Sequence, residues 1–157
     1  MADTELVLSV DLGTTCFKAA LFDRLGQLRG LGRVTIEKRE GPDRTCELPV
    51  DRFWAHLSKA VGEALLNAGA NREAIRALSY SSQANSFLLM DAEQSPLTPL
   101  ILWPDRRATA DPRLEALWSS ARFLATTGLG LGGSEFCVHK LAWFQRQRPD
   151  QWKACSR

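Results

Sequence analysis

Residues 6–23 read LVLSVDLGTTCFKAALFD, and the prediction of the fold starts from these residues. Its two apolar parts have the length and composition of strands, and the turn-rich residues 11–15 separate them. A second turn follows and ends at Gly26, which can supply a positive φ. The strands that this pattern predicts are residues 6–10, 17–22 and 27–36. Because the connecting turns are short, we expect residues 5–36 to form a three-stranded antiparallel meander.

The hydrophobic period changes after Pro49. Apolar residues then recur at the spacing of one helix face, which predicts a helix over roughly residues 51–68 that ends at Gly69 and packs on the sheet. A strand at 75–81 is expected to join that sheet. The remaining predicted elements are strands at 86–90 and 97–102 and helices starting at Asp111-Pro112 and covering 121–127 and 138–146. This order of strands and helices indicates an α/β layered architecture.

Composition and charge narrow the classes of protein and partner. The chain has 157 residues, 45% of them hydrophobic and 24% charged, which fits about one globular domain. A net charge of +2 with scattered basic residues argues against nucleic acid as a partner. The densest basic clusters are interpreted as solvated surface; they are Lys38-Arg39, Arg106-Arg107, and Arg146 with Arg148.

Three features of the sequence bear on where the protein is located in the cell: its apolar runs, its N-terminus and its cysteines. No apolar run approaches the roughly 20 residues of a membrane helix, so no membrane partner is expected. The acidic N-terminus shows no secretion signal. The four cysteines form no Cys-x-x-Cys pair, which favours reduced thiols over a zinc site. These features predict a cytoplasmic protein.

The turn between the first two strands carries chemistry suited to phosphate. Gly13 lets the backbone approach a ligand, and successive N–H groups in such a turn can form an anion nest. Thr14 and Thr15 add hydroxyl donors, and Lys18 adds a positive charge. Asp11 is placed to hold Mg²⁺, directly or through water. The alternative is an ordinary hairpin with Asp11 as a turn former.

Four segments in order resemble the FGGY carbohydrate kinases of the actin-like ATPase superfamily. They are residues 8–23, 79–91, 99–108 (with the pattern Trp-x-Asp-x-Arg) and 127–143. The first segment alone also resembles heat-shock chaperones, whereas the other three resemble the sugar kinases. The resemblance runs from about residue 6 to about residue 152.

The resemblance implies a fold and an activity. The fold would be a ribonuclease-H-like, actin-like ATPase lobe, with residues 1–157 forming the N-terminal part of the first, sugar-binding lobe. The activity would be phosphorylation of a sugar or polyol hydroxyl with ATP and Mg²⁺. The catalytic base and the second lobe are expected beyond Arg157, so the chain alone is expected to be inactive. The resemblance is compatible with a homodimer of the complete protein. The alternative function is a nucleotide switch or chaperone-type module without sugar phosphotransfer.

The same resemblance implies four substrate-binding residues. Gln83 and Asn85 lie in the sugar-contacting loop of the family. Xylulokinases show Gln-Met-His in this loop, and glycerol kinases show Gln-Arg-Glu. Only the glutamine matches here, so the resemblance does not identify which sugar or polyol is the substrate. Asn85 is otherwise a turn residue. Trp103 fits a sugar platform or a core tryptophan. Asp105 is expected either to bracket the sugar with Arg106 or to fix the loop through a mutual bond with it.

Overall fold

The computed structural model describes residues 5–109, 111–129 and 132–156. The chain forms two compact units. The first unit combines the chain up to Glu37 with Pro49–Gln83, and the second combines Lys38–Leu48 with the chain from Ala84 onward. In the part of the chain that the structure describes, none of the helices has the length and apolar character that a membrane span requires.

A four-stranded sheet and one long helix make up the first unit. Its elements are β1 (Leu6–Leu12), β2 (Cys16–Phe22), β3 (Leu28–Thr35), α1 (Val50–Ala68), a 3₁₀ turn (Arg72–Ala74) and β6 (Ile75–Ser82). The strand order is β3-β2-β1-β6. The first three strands pair antiparallel and β6 pairs parallel to β1. The predicted meander, the predicted helix and the joining strand are all confirmed.

Alternating burial and small residues explain how α1 packs on this sheet. Alternate residues of β2 are buried, beginning with Phe17. The centre of the Phe17 ring lies 5.1 Å from that of the Phe53 ring on α1, and the two rings pack edge to face. On β3, a Cβ added at Gly32 would lie 1.9 Å from the carbonyl oxygen of Ala60. Backbone therefore meets backbone at this point, since neither residue has a side chain longer than a methyl group. Gly69 ends the helix at a φ of 58°, as predicted.

Among the residues that the structure describes, the second unit has a small sheet and four helices. The sheet contains β4 (Arg39–Glu40), β5 (Cys46–Leu48) and β7 (Leu100–Ile101) in the order β4-β5-β7, all antiparallel. The helices are α2 (Pro112–Trp118), α3 (Ala121–Thr127), α4 (Cys137–Gln147) and α5 (Pro149–Ala154). The helix starts predicted at Asp111 and at Ala121 are confirmed, and the side chain of Asp111 caps α2 by accepting from the N–H of Arg113.

Of the two strands predicted in the second unit, the first is wrong and the second is too long. Residues 86–90 form no strand, and only Leu100–Ile101 of the predicted 97–102 is one. The hydrogen-bond ladder is interrupted because the N–H of Leu89 donates to the side-chain oxygen of Thr98. The β4–β5 hairpin and α5 were not predicted. Both hairpin strands are too short to show a period, and the residues between them predicted only a break in the chain.

Candidate functional site

The turn between β1 and β2 is held tightly by main-chain contacts. Gly13 lies so close to the next strand that an added Cβ would stand 2.8 Å from the carbonyl oxygen of Cys16. The carbonyl of Thr15 accepts from the N–H of Ile36, just after β3. Thr15 itself is exposed. The glycine predicted to allow close approach of a ligand is therefore also required by the turn itself.

Asp11 lies near the end of β1 and is anchored from both neighbouring strands. Lys18 on β2 donates to its Oδ2 at 2.7 Å, and Ser81 on β6 donates to its Oδ1 at 3.3 Å. The Lys18 hydrogen bond holds the pKa of the Asp11 carboxyl below its usual range, against a smaller opposing effect of burial. Both side chains of the ion pair are close to half exposed, at 44% and 41%. Asp11 is thus an ionised carboxylate that solvent can reach.

Ser81 was not predicted as a site residue. It lies opposite Asp11 in the parallel pairing of β1 with β6. The sequence carried a weak signal for it, because three of the four residues 79–82 at the end of the predicted strand are serines. The pairing register, which brings that serine to Asp11, is a tertiary property.

Gln83 contacts the turn. Its side-chain amide donates to the carbonyl of Leu12 at 3.5 Å, and its Oε1 accepts from the hydroxyl of Thr14 at 3.2 Å. The structure therefore brings Gln83 together with the predicted phosphate-binding residues of the first unit. Its predicted role as a substrate-binding residue stays a prediction.

The residues around Asp11 fit a magnesium ion. Mg²⁺ is commonly held through one or two carboxylates, with waters and phosphate oxygens completing its octahedron. Asp11 offers one solvent-accessible carboxylate next to the Ser81 hydroxyl. Within the described part of the chain, no group of three or more His, Cys, Asp or Glu side chains could hold a metal by itself. The donor set suits an ion that arrives with phosphate better than a resident structural metal.

In the second unit, the loop around Asn85 and the segment around Trp103 are joined. Ser86 accepts from the N–H of Trp103 at 2.9 Å, and Phe87 pairs with Ile101. Asn85 adopts a left-handed φ of 63°, and its Oδ1 accepts from the N–H of Cys137 at the start of α4. Asn85 is therefore a turn residue and a helix anchor. Trp103 is 39% exposed, which leaves part of its ring accessible.

Asp105 is fully buried and bound mainly to Arg107. Its carboxylate accepts from Nε and Nη2 of Arg107 at 2.9 and 2.8 Å, and from the N–H of Cys46 at 2.6 Å. Burial acts to raise the pKa of this carboxyl, and the Arg107 and main-chain hydrogen bonds together outweigh it, so the pKa is lowered. The expected bond between Asp105 and Arg106 is wrong, since Arg106 donates to the carbonyl of Trp103 instead. The pattern Trp-x-Asp-x-Arg already favoured Arg107 as the partner of Asp105, because the arginine of that pattern is Arg107.

Lys140 on α4 is a buried cation that the sequence did not single out. Its Nζ donates to the main-chain carbonyls of Trp103 at 2.9 Å and Glu135 at 3.0 Å, with a longer contact of 3.4 Å to Leu102. Its exposed fraction is 0%, and burial lowers the pKa of the ammonium group. Lys140 thus fixes the backbone on which Trp103 is carried.

Comparison with known proteins assigns this arrangement to a family. Residues 6–156 match the N-terminal domain of the FGGY family of carbohydrate kinases. The chain is 31% identical over 159 residues to a glycerol kinase of Bordetella pertussis, covering 100% of this chain and 31% of that protein. A glycerol kinase of Trichlorobacter lovleyi is 32% identical over 145 residues, covering 91% and 29%. The chain belongs to the FGGY family of carbohydrate kinases, and it spans about a third of the length of these relatives.

Solved structures confirm the fold. A xyloylose kinase from Brucella ovis superposes with a TM-score of 0.80 at 27% identity, covering 96% of this chain and 31% of that one. A xylulose kinase from Rhodospirillum rubrum gives a TM-score of 0.80 at 22% identity, covering 97% and 31%. The predicted α/β fold of an actin-like ATPase lobe is therefore confirmed.

Proposed function

We propose that this chain is the N-terminal part of the sugar-binding lobe of an ATP- and Mg²⁺-dependent carbohydrate kinase. The observation that carries the proposal is the solvent-accessible Asp11 carboxylate, anchored by Lys18 and Ser81 beside a glycine and hydroxyl turn. Membership of the carbohydrate kinase family supports the reaction class. The chain spans about a third of the length of its relatives, so we propose the activity for a protein that also contains the rest of that length.

The residues of the first unit would serve the phosphate side of the reaction. Asp11 would hold Mg²⁺, which neutralises charge on the phosphate oxygens when it is bound. Lys18 keeps the carboxylate ionised and oriented, and its ammonium group can turn to a phosphate oxygen. The hydroxyls of Thr14 and Thr15 and the N–H groups around Gly13 would complete an anion site.

The residues of the second unit would serve the acceptor. The accessible part of the Trp103 ring can cover the apolar face of a sugar or polyol. The amide of Asn85 can donate to a hydroxyl while its oxygen stays on Cys137. Asp105 is fully buried, so we assign it the positioning of the segment that carries Trp103 rather than a direct contact with the acceptor.

The deciding experiment measures ADP release from Mg-ATP with a panel of polyols, pentuloses and hexuloses. The complete protein is expected to turn over in the presence of one acceptor, and Asp11→Asn is expected to abolish turnover while acceptor binding persists. Asp23→Asn, in the turn after β2, is the matched control. Acceptor-independent hydrolysis would favour a nucleotide switch instead, and unchanged turnover in Asp11→Asn would remove that residue from the mechanism.

Two further measurements separate the roles of the units. Residues 1–157 alone should show no acceptor-dependent turnover, because phosphoryl transfer depends on positioning both substrates together.

In the complete protein, Asn85→Asp should raise the KM for the acceptor with little effect on the KM for ATP. This variant keeps the oxygen that accepts from Cys137 and tolerates the left-handed φ, while it removes the amide donor.

A further inference from the structure

The second unit contains a cavity of about 580 Å³ that the proposed reaction does not use. The turn between β4 and β5, the segment after Asp105 and the end of α4 surround it. Its charged lining consists of the arginines Arg44, Arg106, Arg107 and Arg148 and the acids Asp43 and Glu47. Its volume lies within the roughly 300–1,000 Å³ typical of small-molecule sites.

The arginines of this cavity differ in how they are engaged. Arg107 is committed to the fold, because Asp105 and Glu47 pair with it and its side chain is only 8% exposed. Its interpretation as solvated surface is therefore wrong. In the part of the chain that the structure describes, Arg44, Arg106 and Arg148 form no ion pair. The four arginines face three carboxylates, which are Asp43, Glu47 and the Asp105 that pairs with Arg107, so the cavity keeps an excess of positive charge.

Trp143 supplies an apolar wall to the same cavity. The guanidinium carbon of Arg148 stands 5.9 Å from the centre of a Trp143 ring, and that of Arg107 stands 5.4 Å from it. Stacking on an aromatic ring restrains an arginine while leaving its N–H groups available. The cavity therefore combines restrained guanidinium donors with a flat apolar surface.

We propose that this cavity binds a small organic phosphate, with Arg44 and Arg148 holding the phosphate group and Trp143 contacting the organic part. Guanidinium groups match phosphate geometry through paired hydrogen bonds, which favours phosphate over a neutral sugar. A concave site of this volume suits a small molecule better than an extended acidic peptide. The site lies wholly within the second unit and does not involve the Asp11 turn.

The test titrates the purified chain with ribose 5-phosphate, inorganic phosphate and ribose, using calorimetry and tryptophan fluorescence. We expect saturable binding of ribose 5-phosphate at one site, weaker binding of inorganic phosphate and none of ribose. Arg44→Gln and Arg148→Gln should each weaken ribose 5-phosphate binding by about three- to tenfold, as expected for loss of one charge-assisted contact at an accessible site. Arg122→Gln, which removes an exposed arginine outside the cavity, should leave it unchanged.

Three results would overturn the proposal. They are no saturable binding at millimolar ribose 5-phosphate, equal affinities in all variants, and a loss in Arg122→Gln as large as in the cavity variants. Thermal unfolding of each variant checks that lost affinity is not lost structure, and Arg148→Gln decides alone if Arg44→Gln is unfolded. Because the readout is binding, its outcome is independent of any kinase activity.

Discussion

The two units of the molecule are stabilised in different ways. The first is held by alternating apolar residues and by the close approach of α1 to β3 at Gly32 and Ala60. The second has a small apolar core around Phe144, and it also buries the charged groups of Asp105 and Lys140 completely. A regular sheet with a long helix satisfies its own backbone, whereas the irregular segments of the second unit require side chains to satisfy main-chain groups. Four predictions test this difference.

The largest effect is expected for Asp105→Asn in the second unit. The variant removes one of the two carboxylates that pair with the guanidinium of Arg107, and breaking a buried pair costs about 3–5 kcal/mol. Glu47 still pairs with Arg107, so we expect a loss at the lower end of that range. Urea unfolding followed by circular dichroism measures the loss. The exposed Asp43→Asn in the same unit is the control and should stay within about 0.5 kcal/mol of the wild type. Equal effects in the two variants would show that the second unit does not depend on its buried charge.

In the first unit, the corresponding change is Gly32→Ala. Its Cβ would stand 1.9 Å from the Ala60 carbonyl oxygen, so α1 must move away, at a cost of about 3 kcal/mol. The same alanine at Gly62, on the open side of α1, meets nothing within 4 Å and should stabilise the chain by about 0.5–1 kcal/mol. Thermal unfolding compares the two variants. A tolerated Gly32→Ala would mean that the contact between α1 and β3 is looser than its geometry indicates.

Lys140→Met should have an intermediate effect. Methionine fills the space but removes the Nζ donor from the carbonyls of Trp103 and Glu135, which costs about 1–3 kcal/mol. The Trp103 carbonyl keeps the longer hydrogen bond from Arg106. Removal of a buried charge offsets part of this cost. The exposed Lys153→Met on α5 is the control, with no change expected in urea unfolding. A more stable Lys140→Met chain would show that the ammonium group does not stabilise the fold.

The smallest of the four effects is a pH dependence of the unfolding free energy that Asp105→Asn loses. The folded chain holds the Asp105 carboxyl at a lowered pKa, because its hydrogen bonds outweigh burial. Its contribution is therefore complete above the ordinary value of about 4 and declines as pH falls through the lower, folded value. The difference in unfolding free energy between wild type and Asp105→Asn should shrink below about pH 4. A difference that stays constant down to pH 3 would indicate that the lost stability comes from packing alone.

Much of the fold was predictable because its signals are local. The length and composition of short segments between turns gave β1 to β3, helical spacing gave α1, and Gly69 marked its end within one residue. The short hairpin of β4 and β5 was not predictable, since a strand of two or three residues shows no period. The predicted strand at 86–90 has the right composition, but the hydroxyl of Thr98 takes the place of a ladder partner.

The candidate site also combines contacts that are local in sequence with contacts between distant segments. Asp11, Gly13 and Lys18 are close in sequence, and the hairpin that joins β1 to β2 brings Asp11 opposite Lys18 in the strand pairing. Ser81 reaches Asp11 only because β6 pairs parallel to β1, across 70 residues of sequence. A search for isolated motifs could not find that contact, because its partners lie in different segments.

The meander, the long helix, the hydroxyl turn and the family resemblance could be predicted from the sequence, because each rests on residue type and short spacing. The packed chain alone shows that Asp105 accepts from the N–H of Cys46, that Lys140 is buried on carbonyl groups, and that arginines surround one cavity. These features depend on which distant backbone groups are left without partners once the chain is packed. Satisfying those groups is a property of the whole fold, and no local pattern encodes it.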